Sequence, residues 1–267
     1  MKIVVCVNQV PATNDAKIDP ETKRIIREKT KAILNPFDTY AIEEAVQLKK
    51  KFGGEIIALS MGPEKAEHCL REAISVGVDR AILLSDPAFG GSDTWATSNI
   101  LAHAILKIGK VDLVICGKQA IDGDTAQVGP GIASHLHWQQ ATQVVCVNEF
   151  ITGRLIVDRM HENGLDRCAL DLPAVITVVK GINIPRVPTL KGCLASKKAD
   201  IPIWKHADLT ISFDEIGLNG SPTRVVKTEP PVPRPSLTVK IAGTPEDCIK
   251  QLKAELIRRK QFALKSR

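Results

Sequence analysis

The sequence predicts an α/β fold, a parallel sheet with helices on both faces, followed by a hairpin and an extended C-terminal arm that ends in a helix. Three observations carry this. Short apolar runs alternate with amphipathic stretches through the first half of the chain. Apolar runs between amphipathic helices are what strands buried on both faces look like. Beyond residue 181 the chain becomes irregular and proline-rich, which suits an arm and not a core.

Lys2–Val7 reads as the first strand. Asn35–Asp38 opens a helix that places Ala41, Ile42, Ala45, Val46 and Leu48 on one face and ends near Gly53-Gly54. Glu55–Ser60 is a second strand, and Gly62-Pro63 starts a helix to about Val76, since proline is tolerated in a first helical turn. Arg80–Leu84 is a third strand. Asp93 or Thr94 caps a helix through Ile108, and Asp112–Cys116 is a fourth strand. A glycine-rich loop and a helix near Gln127–His137 follow. Gln143–Phe150 and Arg154–Met160 form a hairpin around Thr152-Gly153, and Ala174–Val179 is another strand. Pro222–Pro235 is extended, and Pro245–Phe262 is helical. This divides the chain into residues 1–220, an α/β domain, and 221–267, the arm and its helix.

Bulk properties narrow the function. Aromatic residues make up only 4% of the 267, so the core is aliphatic. No apolar run reaches the ~18 residues of a membrane span, and the short N-terminal apolar run reads as a strand and not a signal peptide, so the expected location is cytoplasmic. The seven cysteines contain no CxxC pair, which argues against zinc or a dithiol centre. Cys6, Cys116 and Cys146 sit in strand-like runs as small buried thiols. The net charge of +6 resides in residues 250–267, where seven basic residues face Glu255 alone. Ile249, Leu252, Leu256 and Ile257 recur there at helical spacing, so the tail reads as a docking helix and not a nucleic-acid arm.

Ligands of parallel sheets sit beyond the carboxyl ends of the strands. Two loops there have the composition of an anion cradle. Gly117-Lys118-Gln119-Ala120-Ile121-Asp122-Gly123-Asp124-Thr125-Ala126-Gln127-Val128-Gly129-Pro130 leaves a strand and enters a helix. Glycines admit backbone amides close to an anion, and the helix start adds a positive dipole end. Thr125 and Gln127 can bond phosphate oxygens, while Asp122 and Asp124 suit ribose hydroxyls or loop amides. The second loop, Phe89-Gly90-Gly91-Ser92-Asp93-Thr94, is similar to the SGGxDS loop of ATP pyrophosphatases, although it follows a later strand and Phe89 replaces the serine. GxGxxG, GxxxxGK[ST] and a nucleophile elbow are absent, and the His135–His137 spacing does not put two rings on one helix face. The chain therefore reads as a nucleotide or redox-cofactor binder with no catalytic acid, base or nucleophile and no metal site.

In order, these segments resemble the beta subunit of electron-transfer flavoproteins over nearly the whole chain. The anchors are Val5-Cys6-Val7-Asn8-Gln9-Val10, Asn35-Pro36-Phe37-Asp38, Met61-Gly62-Pro63, Gly117 through Asp122, and Val157-Asp158-Arg159 leading to Leu172-Pro173-Ala174-Val175-Ile176-Thr177. The resemblance implies an adenine-nucleotide-hydrolase-like three-layer sandwich and a heterodimer with an alpha subunit that carries FAD. It places the chain's own nucleotide at Cys6, Asn8, Asn35–Asp38, Met61 and Gly117–Val128, with a structural AMP in ordinary members and a second FAD in electron-bifurcating ones. The loops 89–94 and 122–130 resemble the bifurcating type, which implies NADH as donor, ferredoxin or flavodoxin as one acceptor and an acyl-CoA-type dehydrogenase as the other. Asn8 stands where many members carry Lys or Arg, and Asn163 and Asp166 depart from the family's late acidic pattern. A dehydrogenase-docking loop would fall at about Arg186–Ala195 with Leu190 as its apolar anchor.

Overall fold

A computed structural model of the chain describes residues 1–12, 32–226 and 238–259. They fall into two compact units, Met1–Thr228 and Glu229–Arg267. The first begins with β1 (Lys2–Cys6), β2 (Gln9–Pro11) and β3 (Ala32–Leu34). It then alternates α1 (Pro36–Phe52), β4 (Glu55–Met61), α2 (Glu67–Ser75), β5 (Arg80–Leu84), α3 (Thr94–Ile108), β6 (Leu113–Gly117) and α4 (Val128–Leu136). It continues with β7 (Gln139–Ile151), β8 (Arg154–His161), β9 (Gly164–Asp171), β10 (Ala174–Val178), α5 (Leu190–Lys198) and β11 (Ile203–Trp204). The second unit holds α6 (Pro245–Arg258).

Among the described residues the main sheet has nine strands in the order β11-β5-β4-β1-β6-β10-β7-β8-β9. All neighbours run parallel except β7-β8 and β8-β9, which are antiparallel. Alternation along each strand sorts the core into two layers. Ile3, Val5, Ile56 and Ile115 pack with Ala41, Ile42 and Leu70 of α1 and α2. Val4, Cys6, Ile57 and Val114 pack with Ile100, Ile105 and Ile132 of α3 and α4. The result is the three-layer α/β sandwich, with an aliphatic core in which a fully buried Ile or Leu contributes about 1.5–3 kcal/mol.

The chain goes from β1 to β4 and β5 on one side and returns to β6 on the other, so order reverses between β1 and β6. That reversal opens a crevice beyond the two strand ends. The small β2–β3 ribbon, Gln9–Pro11 against Ala32–Leu34, then brings Asn35 back beside the exit of β1, where Asn35 N donates to Asn8 O at 2.9 Å.

Several expected elements take a different form. The hairpin is a three-stranded meander, because Gly164–Asp171 adds β9 through the Arg167–Asp158 and Arg154–Asp171 cross-strand pairs. The expected loop at 186–195 contains α5, capped by Thr189 Oγ1 accepting from Gly192 N at 3.0 Å. The helix after Pro63 starts as a short 3-10 turn before α2, and β11 adds an unexpected edge strand beside β5. Cys146 is exposed and not buried, since it faces outward from the part of β7 that leaves the core. In the second unit α6 exposes Ile249, Leu252 and Ile257. The expected extended arm falls largely on residues 227–237, and the end of the basic tail on 260–267, both outside the described residues.

Candidate nucleotide-binding crevice

The crevice at the β1/β6 switch point has a volume of about 370 Å³. Its floor is the strand ends. Cys6 and Cys116 are register partners on β1 and β6, both buried. The hydrogen bond to Cys6 and burial push the Cys116 thiol well above its ordinary value, so it lies protonated under the site. Val7, Leu59, Met61, Leu101 and Val128 give an apolar wall, and Lys118 is the cation among the described lining residues.

The Asn35–Asp38 pair at the start of α1 shapes this floor. Asp38 Oδ2 accepts from Asn8 N at 2.7 Å and Oδ1 from Asn35 Nδ2 at 2.9 Å. Burial pushes the Asp38 carboxyl up to about 7, against the hydrogen bonds from Asn8, Asn35 and Gly117, and the Asp122 charge adds to the rise. Asn35 is itself buried. Its Nδ2 also donates to Gln119 O at 2.9 Å and its Oδ1 accepts from Ile121 N at 3.3 Å. One side chain thus ties the α1 start to the loop after β6.

That loop is held by its own geometry as well. Asp124 N donates to Ala120 O at 2.8 Å, Gln119 Nε2 bonds Asp124 Oδ1, and Asp124 and Ala126 adopt left-handed backbone at φ 55° and 56°. Two glycines are needed for close approach. A Cβ on Gly117 would strike Asp38 Oδ1 and the Phe37 backbone, and one on Gly129 would strike Thr177 Cγ2. Gly129 therefore lets the start of α4 sit on the sheet end. The N-cap residue Gln127 makes no side-chain bond to the first turn of α4. The first turn of α4, whose Val128 and Gly129 line the crevice, therefore has no side-chain cap, the arrangement that suits a phosphate.

The two predicted loops meet here. Thr94 Oγ1 donates to Gln127 Oε1 at 2.9 Å. Of the expected site residues, Cys6, Asn8, Asn35, Asp38, Met61, Asp93, Thr94, Gly117, Lys118, Gln119, Ala120, Asp122, Gly123, Thr125, Ala126, Gln127 and Val128 line the crevice. Pro36, Phe37, Ile121 and Asp124 do not line it. Phe89, Gly90 and Gly91 do not line it. Phe89 is buried in the core, and Gly91, at φ 77°, abuts Leu218, where a Cβ would come within 2.7 Å. Asp93 caps α3 through Trp95 N and Ala96 N and also binds Thr223 N at 3.0 Å and Thr223 Oγ1 at 2.7 Å. Burial alone would raise its carboxyl, but these bonds outweigh it and hold Asp93 below the usual carboxylate range.

Ser92 and Gly129, inside the two expected loops, line the crevice, while sequence reasoning missed Val7, Leu59, Thr97, Leu101 and Cys116. Helical spacing was the available signal for Thr97 and Leu101, one and two turns beyond Asp93. Leu190, the expected docking anchor, is the first residue of α5 and is 80% exposed beside Ile184, Val187 and Leu194. This segment is fastened to α1 by the Arg186–Glu43 pair, with Nε–Oε2 at 2.6 Å and Nη2–Oε1 at 2.8 Å.

The residues fit an adenine nucleotide: an uncapped helix start for phosphate, glycines at the points of closest approach, carboxylates for ribose, and an apolar wall for a base. Known proteins are similar to this chain. The Electron transfer flavoprotein domain model matches residues 22–209. The chain is 47% identical to the electron transfer flavoprotein subunit beta of Thermoanaerobacterium thermosaccharolyticum over 86% of this chain and 88% of that one. It is 46% identical to the caffeyl-CoA reductase-Etf complex subunit CarD of Acetobacterium woodii over 86% and 88%. It is 42% identical to protein FixA of Sinorhizobium fredii over 96% and 92%.

Proposed function

Since the chain belongs to the electron transfer flavoprotein domain family, we propose that it is the beta subunit of a heterodimeric electron-transfer flavoprotein whose crevice holds the ADP part of an FAD. The observation that carries this reading is the joining of the α3 start to the α4 start by Thr94 and Gln127, which closes the β1/β6 crevice around an uncapped helix N-terminus. The amides of Val128 and Gly129, with Thr125, would hold the phosphates. Asp122 would take the ribose, and Leu59, Met61 and Leu101 the adenine. Asn35 and Asp38 keep the loop in shape, and Cys6 and Cys116 fill the floor with no redox role of their own.

When bound, the flavin supplies the hydride and single-electron chemistry, and the protein supplies position and electrostatics. In the full proposal NADH is the donor, and electrons divide between ferredoxin or flavodoxin and, through the FAD of the alpha subunit, an acyl-CoA-type dehydrogenase. The exposed Leu190 on α5, rigidly presented by Arg186 and Glu43, would be the anchor for that dehydrogenase, and the 221–267 region with α6 would dock on the alpha subunit. The apolar face Ile249, Leu252 and Ile257 supports the latter. We place the complex in the cytoplasm, consistent with the absence of a helix long and apolar enough to cross a membrane among the described residues.

A second reading is favoured by one observation. The crevice encloses about 370 Å³, a mononucleotide-sized space, and Gly90 and Gly91 do not widen it. On that reading the ligand is a structural AMP and the complex a one-electron carrier. Extraction of cofactors from the purified heterodimer separates the two. Two FAD per heterodimer supports the first; one FAD and one AMP supports the second; no adenine nucleotide beyond the alpha FAD rejects both. Bifurcation itself is tested anaerobically. NADH should reduce ferredoxin only when the high-potential acceptor is present, and reduction without that acceptor rejects coupling.

A further inference from the structure

A second groove, of about 680 Å³, runs along α3 and α4 under the turn 214–222. It is distinct from the crevice, although Trp95 on its wall directly follows Thr94. Three of its groups lack partners. Asn99 is only 7% exposed, and its amide has no hydrogen-bond partner among the described residues. The Nε2 of His135 is buried and unpartnered among the described residues. Burial pushes the imidazole downward, towards the neutral ring. The Asp214 carboxylate is unpaired among the described residues, and beside it Glu215 accepts only from Ser212 N at 3.2 Å. The Trp95 indole, 53% exposed, stands edge-on to His135 with ring centroids 4.6 Å apart.

This set selects its ligand by elimination. The two carboxylates, with no Lys or Arg among the lining residues, repel anions. An apolar ligand would leave Asn99 and His135 Nε2 desolvated and unbonded, which is unfavourable for each. A compact ammonium could meet one carboxylate, but it could not reach dispersed acceptors while lying on an indole. A guanidinium can. It is planar, stacks on aromatic faces and carries five N–H donors. The surroundings say how it is delivered. Phe213 and Leu218, chain neighbours of Asp214 and Asn219, are 53% and 56% exposed, giving the polar centre an apolar rim. An arginine and a tryptophan inside such a rim are the composition of a protein interface hot spot. We infer that the groove formed by Trp95, Asn99, His135, Asp214 and Glu215 receives an arginine side chain of a partner polypeptide. Nothing in this depends on what fills the crevice.

The test is a titration of the full chain followed by tryptophan fluorescence, with Trp95→Phe identifying the reporting residue against Trp138 and Trp204. The probes are N-acetyl-arginine amide, N-acetyl-lysine amide, nicotinamide and a capped Leu-Arg-Leu tripeptide. The arginine amide should saturate and the lysine amide should bind at least about fivefold more weakly. The tripeptide should bind about tenfold more tightly than the arginine amide, because its flanks engage the rim. Asp214→Asn with Glu215→Gln should weaken arginine binding by about tenfold or more. Both residues are exposed, so this variant should fold. In the unmodified chain, the Asn99 side-chain amide resonances should shift on saturation. No saturable binding, equal binding of the lysine amide, or indifference to the double variant overturns the assignment. So does tighter binding of nicotinamide. A tripeptide no tighter than the single residue overturns the polypeptide source in favour of a free guanidinium compound.

Discussion

Two glycine-and-aspartate loops follow strands at the same end of this sheet, and they do different work. Residues 117–129 form a wall: Gly117 and Gly129 let the loop and the α4 start close on the strand ends, and Asn35 pins the loop from behind. Residues 86–93 form a joint. Asp86 binds Ala88 N and His206 N, Gly91 makes room for Leu218, and Asp93 binds Thr223, so only Ser92, Asp93 and Thr94 reach the crevice. Their aspartates differ accordingly. Asp38, buried in α1 against the Gly117 wall, is pushed up to about 7, whereas Asp93 in the joint is held low by the amides and hydroxyl it accepts from. A glycine after a strand is thus evidence of a close approach, but the thing approached can be a ligand or the protein's own chain.

The largest expected effect breaks the comparison through Asp38. Unfolded, this carboxyl releases its proton near 3.8; folded, it keeps it to about 7. Because the folded state holds the proton longer, the favourable contribution is complete below 3.8 and is lost as pH rises through 7. The decline is up to roughly 4 kcal/mol. Urea unfolding of the ligand-free chain from pH 4.5 to 8 should show that fall, and Asp38→Asn should flatten it. An unchanged slope would remove Asp38 from the account.

Next come the glycines. Gly117→Ala should weaken nucleotide binding by about 100-fold, roughly 2.7 kcal/mol, as measured by calorimetry on the stripped protein. Gly91→Ala should leave nucleotide binding intact and lower stability by about 1–2 kcal/mol through its positive φ and Leu218. If Gly91→Ala abolished binding while Gly117→Ala did not, the roles of wall and joint would be reversed. Asp93→Ala should destabilise the chain by about 1 kcal/mol or slightly more through loss of the α3 cap. For the parent chain, the contribution of this depressed carboxyl is present above the ordinary carboxylate range and fades as pH falls through its folded value. Thr94→Val, which removes the Thr94–Gln127 bond between the two loops, is the mildest change. It should cost about 1 kcal/mol, visible as a small loss of nucleotide affinity with little change in melting temperature.

How much of this was legible beforehand depended on range. The strands Lys2–Cys6, Glu55–Met61, Arg80–Leu84 and Ala174–Val178 were clear because their apolar runs are local. So were the cap Asp93 and the opening of α1 at Asn35–Asp38. Strand β9 was not, because its exposed, charged sequence is held by cross-strand pairs with β8 that have no signal within the segment. Helix α5 was hidden by Gly192, which weakens a helix locally but lets it lie against Ser75 of α2.

By itself the sequence determined the α/β class, the family, and the two loops between which a nucleotide could lie, since these follow from periodicity, glycine spacing and short motifs read within one segment. Only the tertiary structure decided that Asn35 and Asp38 brace the loop after β6, that Thr94 meets Gln127, and that Phe89, Gly90 and Gly91 turn away from the crevice. Those outcomes depend on which distant backbone arrives opposite each residue, and that is set by the order in which the strands cross.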